Sequence, residues 1–150
     1  MIFLLPFQYN YAIFTHVSNR KVGQKMTAQK KVIIVEDDRE TAEMLAEMIR
    51  VSGFEPVVFV YSILARDSIS MYNPVFIILD ILMPEKSGLE LLKVIRADAG
   101  LAKIPVILVS ALSTGMDIKT GMAAGAAAYL TKPVAFFELK KVIEKIMTAV

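Results

Sequence analysis

The sequence predicts an α/β fold in which helices cover both faces of a five-stranded parallel sheet, a doubly wound arrangement. From residue 30 onward, short apolar runs rich in β-branched residues alternate with longer segments of helical periodicity. The apolar runs lack the in-and-out alternation of strands that face water on one side. The 150 residues are the length of one domain, which is long enough to bury a hydrophobic core without disulfides.

The strands are predicted from five short apolar runs. Runs of this kind suit strands buried on both faces, and parallel neighbours require right-handed helical crossovers between them. The predicted strands are residues 32–35, 56–60, 75–79, 105–109 and 127–130.

The helices are predicted from apolar residues that recur at helical spacing. In the first helix, 39–52, Ala42, Leu45, Ala46 and Ile49 form one apolar stripe, and charged residues occupy the other positions. The remaining regular helices are 62–71, which is the least periodic, 88–97 and 136–147.

A fourth helix lies between the last two strands and has the weakest helical pattern. Gly115, Gly121 and Gly125 fall in this stretch, and a glycine inside a helix costs about 1 kcal/mol relative to alanine. We expect this helix to be easier to rearrange than the first helix, a hypothesis that hydrogen exchange tests directly.

Residues 1–25 differ from the remainder of the chain. Their apolar, aromatic run is interrupted by polar residues and a proline, whereas a membrane-spanning helix needs about 20 mostly apolar residues. The basic residues follow the apolar run, which is the reverse of a secretory signal. We expect 1–25 to be a leader, either disordered or an extension upstream of a start at Met26, and 26–150 to be the folded domain.

Composition excludes several classes of site. The chain has no cysteine and a single histidine, His16, which excludes disulfides, thiolate zinc sites and multi-histidine metal sites. The net charge of +2 originates in the first 26 residues, because the others carry 14 basic side chains against all 15 acidic ones. We therefore expect no direct nucleic-acid contact and a cytoplasmic protein without a membrane span.

Polar residues gather where the predicted strands end, and this is where doubly wound folds bind ligands. Crowded carboxylates require a proton or a cation, and oxygen ligands without histidine or cysteine favour Mg2+ or Mn2+ over zinc. Each residue alone could be a helix cap, a turn former or a surface charge, but together they suit one phosphoryl centre. They are Glu36, Asp37 and Asp38, then Asp80, then Ser110, and finally Lys132 and Pro133.

Residues 30–147 resemble the receiver domains of bacterial two-component response regulators. The resemblance rests on Val-Glu-Asp-Asp after the first strand, the run from Asp80 to Gly88 (Asp-Ile-Leu-Met-Pro-Glu-Lys-Ser-Gly), Pro-Val-Ile-Leu-Val-Ser-Ala at the fourth strand and Tyr-Leu-Thr-Lys-Pro at the fifth. The acidic pair alone is a weak signal, while the ordered set is very specific. The resemblance implies a flavodoxin-like fold with strand order 2-1-3-4-5.

By this resemblance, Asp80 is the phosphoacceptor and takes a phosphoryl group from a phosphohistidine. The donor would be a sensor histidine kinase or a histidine phosphotransfer protein. Mg2+ (or Mn2+) would be held by Glu36, Asp37, Asp80 and the backbone carbonyl of Leu82, while Asp38 is the less favoured ligand.

The resemblance also assigns the contacts of the phosphoryl group and the switch. Lys132 and Ser110 would bind the phosphoryl oxygens, and Pro133 would follow a cis peptide bond. Movement of Ser110 towards the phosphoryl group would make room for Tyr129 to turn inward. The fourth helix, fifth strand and fifth helix would then form the surface that a downstream protein target reads.

Two leucines depart from what this family often carries beside the phosphoryl group. Leu82 lies two residues after Asp80, and Leu112 lies two after Ser110. Neither side chain can orient an attacking water, so we expect slow autodephosphorylation.

The favoured interpretation is a single-domain response regulator, a monomer or weak dimer, that catalyses only its own phosphorylation and dephosphorylation. One alternative is a degenerate or constitutive receiver that acts as a protein-binding scaffold. A second is an aspartate-nucleophile phosphatase, which needs an acid where Leu82 stands. A third is a flavin-binding protein, but the acidic loop after the first strand would repel a phosphate.

Overall fold

A computed structural model describes residues 28–84 and 87–149, so the predicted leader 1–25 lies outside the described residues. Strands and helices alternate along the chain. The strands are β1 (Lys31–Val35), β2 (Glu55–Phe59), β3 (Phe76–Asp80), β4 (Val106–Ser110) and β5 (Ala128–Thr131). The helices are α1 (Arg39–Val51), α2 (Ser62–Tyr72), α3 (Gly88–Ala97), α4 (Gly115–Ala123) and α5 (Phe136–Thr148).

The five strands form one sheet in the order β2-β1-β3-β4-β5, and all neighbouring strands are parallel. The predicted fold class and strand order are therefore confirmed. Because the strands are parallel, all of their carboxyl ends lie at one edge of the sheet, with β3 in the centre.

The hydrophobic core is divided by the sheet into two clusters. Alternate strand residues join α1 and α5 on one face, and α2 and α3 on the other. β3 and β4 are buried over their whole length, as expected for central strands covered on both faces. No helix in the described part of the chain is long and apolar enough to cross a membrane.

Strand boundaries differ from the sequence predictions by one residue at several ends. Asp80 and Ser110 are the last residues of β3 and β4 rather than the first residues after them. Asp80 pairs with Val109, and Ser110 pairs with Thr131. Hydrophobicity predicts where a buried run stops, but a strand continues for as long as its backbone remains paired.

α4 has less glycine in its interior than the sequence suggests. Gly115 is its first residue, and Gly125 lies beyond its end with a φ of +100° that favours glycine. Only Gly121 lies well inside the helix. Beyond that end, the guanidinium of Arg96 in α3 donates to the carbonyl of Gly125 at 2.9 Å and to two carbonyls of the α3–β4 loop, those of Ala102 and Ile104.

Candidate functional site

Three carboxylates meet at the carboxyl edge of the sheet. Glu36 and Asp37 follow β1, and Asp80 ends the adjacent β3. One carboxylate oxygen from each lies within 4.8 Å of the others. Glu36 and Asp80 are almost fully buried, so their negative charges are poorly screened by water.

Lys132, which follows the outermost strand β5, brings a positive charge to this cluster. It follows β5, and its Nζ lies 2.8 Å from Glu36 Oε2 and 3.3 Å from Asp80 Oδ2. Its side chain keeps 23% of its surface exposed. One ammonium group therefore contacts two carboxylates and is still accessible from solvent.

Burial dominates the electrostatics of Glu36. It raises the pKa of Glu36 to about 7, against the opposing effect of Lys132, because a buried carboxylate loses its hydration. Burial alone would lower the pKa of Lys132, but its contacts with Glu36 and Asp80 outweigh burial and raise that pKa. The negative charge at this edge of the sheet is only partly compensated by Lys132.

Asp38 has a different structural role from Glu36 and Asp37, because it is the N-cap of α1. Its side chain caps α1 by accepting a hydrogen bond from the backbone N–H of Thr41 at 2.8 Å, as helix N-caps do. Hydrogen bonding from the Thr41 side chain, and then from the Thr41 backbone, lowers the pKa of Asp38. Asp38 lies outside the carboxylate cluster, and its backbone N–H donates to Glu36 Oε1 at 3.1 Å.

Ser110 is fully buried at the end of β4, next to β3. Its Oγ accepts a hydrogen bond from the backbone N–H of Leu112 at 3.1 Å. The backbone N–H of Leu82 makes the matching bond to Asp80 Oδ1, also at 3.1 Å. In both cases, the side chain of the last strand residue is held by a hydrogen bond from the backbone N–H two residues further along the chain.

The remaining predicted site residues lie in β5 or just beyond the ends of β3, β4 and β5. The side chains of Leu82 and Leu112 are 51% and 36% exposed, so they lie at the surface beside Asp80 and Ser110. Tyr129 is half-buried in β5, and its hydroxyl donates to the carbonyl of Leu112 at 2.7 Å. The peptide bond between Lys132 and Pro133 is cis.

The donor set fits a hard divalent cation. The three clustered groups offer only carboxylate oxygens, which are the ligands that Mg2+ prefers. Within the described residues, the buried Oε2 of Glu36 makes no well-formed hydrogen bond beside its ion pair with Lys132. A second positive charge would compensate carboxylates that Lys132 alone leaves partly uncompensated.

Gly88 contributes to the site in a way that sequence reasoning missed. A Cβ on Gly88 would overlap the backbone carbonyl oxygen of Asp80. The N–H of Gly88 also donates to the carbonyl of Ile81 at 2.9 Å. The start of α3 therefore packs directly on the end of β3, which only glycine permits. The glycine that closes the Asp80-to-Gly88 run was the available signal.

Comparison with known proteins gives one consistent result. The family model for the response regulator receiver domain matches residues 32–144. The DNA-binding response regulator MtrA of Mycobacterium tuberculosis is 28% identical over 120 residues, which are 80% of this chain and 50% of MtrA. The chain thus spans about half the length of that curated relative.

A shorter relative is also a response regulator, and a similar solved structure is also a signal receiver domain. The polar-differentiation response regulator DivK of Brucella ovis is 35% identical over 105 residues, 70% of this chain and 85% of DivK. The signal receiver domain of a signal transduction histidine kinase from Syntrophus aciditrophicus is 30% identical, with a TM-score of 0.73. The match covers 81% of this chain and 92% of that one.

Proposed function

Because the chain belongs to the response regulator receiver domain family, we propose that Asp80 accepts a phosphoryl group from a phosphohistidine on a partner protein. The partner would be a sensor histidine kinase or a histidine phosphotransfer protein. The observation that carries the proposal is the cluster of Glu36, Asp37 and Asp80, in which Glu36 and Asp80 are buried, with the ammonium of Lys132 beside it.

The proposed step is a displacement at phosphorus. An oxygen of the Asp80 carboxylate forms a bond to phosphorus while the bond from phosphorus to the donor nitrogen breaks. The electron pair of that bond leaves with the imidazole of the donor. The product is an acyl phosphate on Asp80, and the partner recovers its histidine.

Glu36, Asp37, Asp80 and the backbone carbonyl of Leu82 would hold Mg2+, or Mn2+ in its place. When bound, the cation offsets the charge that otherwise repels a phosphoryl group from three carboxylates. Glu36 lies deepest and also binds Lys132, so it would keep the ammonium close to Asp80.

Lys132 and Ser110 would contact the new phosphoryl group. The Lys132 ammonium already lies 3.3 Å from Asp80 and is a mobile point charge that can follow a phosphoryl oxygen. Ser110 Oγ accepts a bond from Leu112, which leaves its hydroxyl proton free to be donated. Movement of Ser110 towards Asp80 would then permit Tyr129 to turn inward.

The surface of α4, β5 and α5 would transmit the signal to a downstream protein target. Exposed apolar side chains, Met116 and Met122 on α4 and Phe137 on α5, favour protein contact there. In this proposal the protein acts on no other substrate and catalyses only its own phosphorylation and dephosphorylation.

The two leucines would make the phosphorylated state long-lived. Leu82 and Leu112 stand at the surface beside the acceptor and cannot hydrogen-bond an attacking water. A Leu112→Glu variant should therefore lose its phosphoryl group faster than the parent. Equal rates of loss, measured by intact mass over time, would contradict this part of the proposal.

The function is tested by intact mass spectrometry after incubation with Mg2+ and acetyl phosphate. The parent should gain one phosphoryl group, and chelation of the metal should prevent the gain. Asp80→Asn, which keeps the shape of the side chain, should gain none. Asp67→Asn, at an exposed carboxylate of α2, is the matched control and should behave as the parent does.

A donor-independent measurement completes the test, because a receiver can be selective for its donor. Beryllofluoride binds as a phosphoryl analogue and should bind the parent only in the presence of Mg2+. Absence of both phosphorylation and beryllofluoride binding would overturn the proposal and favour a scaffold.

A further inference from the structure

A cavity of about 260 Å³ lies at the carboxyl edge of the sheet, beside the carboxylate cluster and towards β2. Its wall is formed by the start of α1, the connection from β2 to α2 and the loop that follows β3. Most small-molecule pockets are slightly larger, at about 300–1,000 Å³. The cavity therefore has room for a molecule smaller than a typical drug.

The N-terminus of α2 forms one wall of the cavity. Ser62, the first residue of α2, lines the cavity, and its Oγ is buried without a hydrogen-bond partner among the described residues. Tyr61, the N-cap, supplies no side-chain hydrogen bond to the helix. The first N–H groups of a helix have no partner within it, and a buried hydroxyl without a partner is costly. This wall therefore offers hydrogen-bond donors to a ligand.

Arg39 brings a positive charge to the same cavity. It is the exposed first residue of α1, and no ion pair among the described residues involves it. A guanidinium binds carboxylates and phosphates through paired N–H donors, and a helix N-terminus favours the same negative groups. Of the described residues in the wall, only Asp37 is acidic, and its charge opposes an anion. The convergence of donors favours an oxyanion as the ligand.

The rest of the wall is apolar or aromatic. Val60 and Tyr61 precede α2, and Met83 and Pro84 lie in the loop after β3. An anionic group held by the donors would leave the remaining volume to an organic group in contact with these side chains. Apolar walls with a few placed polar groups are typical of sites for small organic molecules.

We propose that this cavity binds a small organic anion. Its carboxylate or phosphate would be held by Arg39, Ser62 and the N–H groups at the start of α2, with its apolar body against Tyr61. Asp80 does not line the cavity, whereas Asp37 belongs both to the cavity and to the carboxylate cluster. The site does not require phosphoryl transfer to Asp80, so a failure of the proposed function would leave it standing.

The first test titrates the parent with phenylacetate and with phenylacetamide, its uncharged analogue. Mg2+ is omitted, so that no metal draws the anion to the carboxylate cluster. In 1H–15N NMR spectra, phenylacetate should shift the amides of Arg39 and Ser62. It should bind about tenfold more tightly than phenylacetamide. Equal affinities, or shifts confined to other parts of the chain, would overturn the proposal.

A titration with phenyl phosphate distinguishes the two kinds of oxyanion. Tighter binding of phenyl phosphate at the same amides would support the site and assign a phosphate ligand. Tighter binding of phenylacetate would support it and assign a carboxylate. Failure of both compounds to bind would overturn the proposal.

Three charge variants test the electrostatics of the site. Arg39→Gln should bind phenylacetate about tenfold more weakly and phenylacetamide as the parent does. Arg66→Gln removes the same charge at an exposed position of α2 outside the cavity wall, and it should bind phenylacetate as the parent does. Asp37→Asn removes the opposing charge and should bind phenylacetate about threefold more tightly. Equal losses in the two arginine variants would reflect net charge and overturn the site.

Ser62→Ala tests the buried hydroxyl through stability. Without a probe, its thermal midpoint should equal or exceed that of the parent, because the hydroxyl has no partner to lose. Saturating phenylacetate should raise the midpoint of the parent more than that of Ser62→Ala, since a ligand of the folded state stabilises it in proportion to its affinity. A lower midpoint without the probe, or an equal rise in both proteins, would overturn the role of Ser62.

Discussion

α1 and α4 are held to the same sheet by different means. α1 buries a stripe of four residues, Ala42, Leu45, Ala46 and Ile49, in the core. α4 buries only Gly121. α4 depends instead on its ends, with a capping box at its start and Arg96 bound just beyond its last turn. Burial anchors a helix along its length, whereas end contacts leave its middle free to respond to one neighbour.

The largest expected effect on stability is the loss of a buried side chain from α1, compared with the loss of a partly exposed one from α4. Leu45→Ala removes a fully packed side chain of α1 and should lower the free energy of unfolding by about 2–5 kcal/mol. Ile118→Ala, at a side chain of α4 that is 36% exposed, should cost less than about 1 kcal/mol. Urea unfolding measures both, and similar costs would mean that α4 is anchored as α1 is.

Substitution of Arg96 should have the second-largest effect on stability, because its guanidinium donates hydrogen bonds to three backbone carbonyls. Arg96→Ala should cost about 1–3 kcal/mol, since the carbonyls of Gly125, Ala102 and Ile104 lose a charged donor. Hydrogen exchange should rise in the turn that follows α4 and not in α1. Arg66→Ala, at an exposed arginine of α2, is the control and should be close to neutral.

The capping box at the start of α4 should give a smaller and more local effect. Thr114 accepts a bond from the N–H of Asp117, and the Asp117 side chain accepts one from the N–H of Thr114. Thr114→Ala should cost about 1 kcal/mol, and the exposed Ser113→Ala should cost little.

Hydrogen exchange checks this prediction and the earlier hypothesis about α4 together. In the parent, the amides of α4 should exchange faster than those of α1, and Thr114→Ala should accelerate only the former. Exchange in α4 that is no faster than in α1 would contradict the view that α4 is the softer helix.

The smallest expected effect is the pH dependence of stability that comes from Asp38, the N-cap of α1. The hydrogen bond to Thr41 lowers the pKa of Asp38 from its ordinary value of 3.8. The ionised cap therefore stabilises the folded state above this value, and the contribution is lost as pH falls through the lowered pKa. Asp38→Asn keeps a capping side chain without the charge. The urea midpoint of the parent should fall relative to Asp38→Asn only below about pH 4.

Sequence reasoning reached the fold and the place of the candidate site because both depend on local patterns. Buried runs and helical stripes predicted the ten elements, and the rule about strand ends predicted that Glu36, Asp80 and Lys132 would meet. The roles of these residues in phosphoryl transfer stay predictions. The contact of Gly121 with Tyr129 and the bond from Arg96 to Gly125 were missed, because each joins elements that no local pattern connects.

The ion pair between Lys132 and Glu36 joins the last strand to the first across the sheet. During synthesis, Glu36 and Asp80 leave the ribosome long before Lys132 does. Until β5 pairs with β4, the two acidic side chains lack their positive partner and repel each other as they approach. Formation of the carboxyl edge of the sheet is therefore completed late, when the C-terminal part of the chain arrives. An incomplete chain would lack both the ammonium that lies beside Asp80 and the Tyr129 ring of β5.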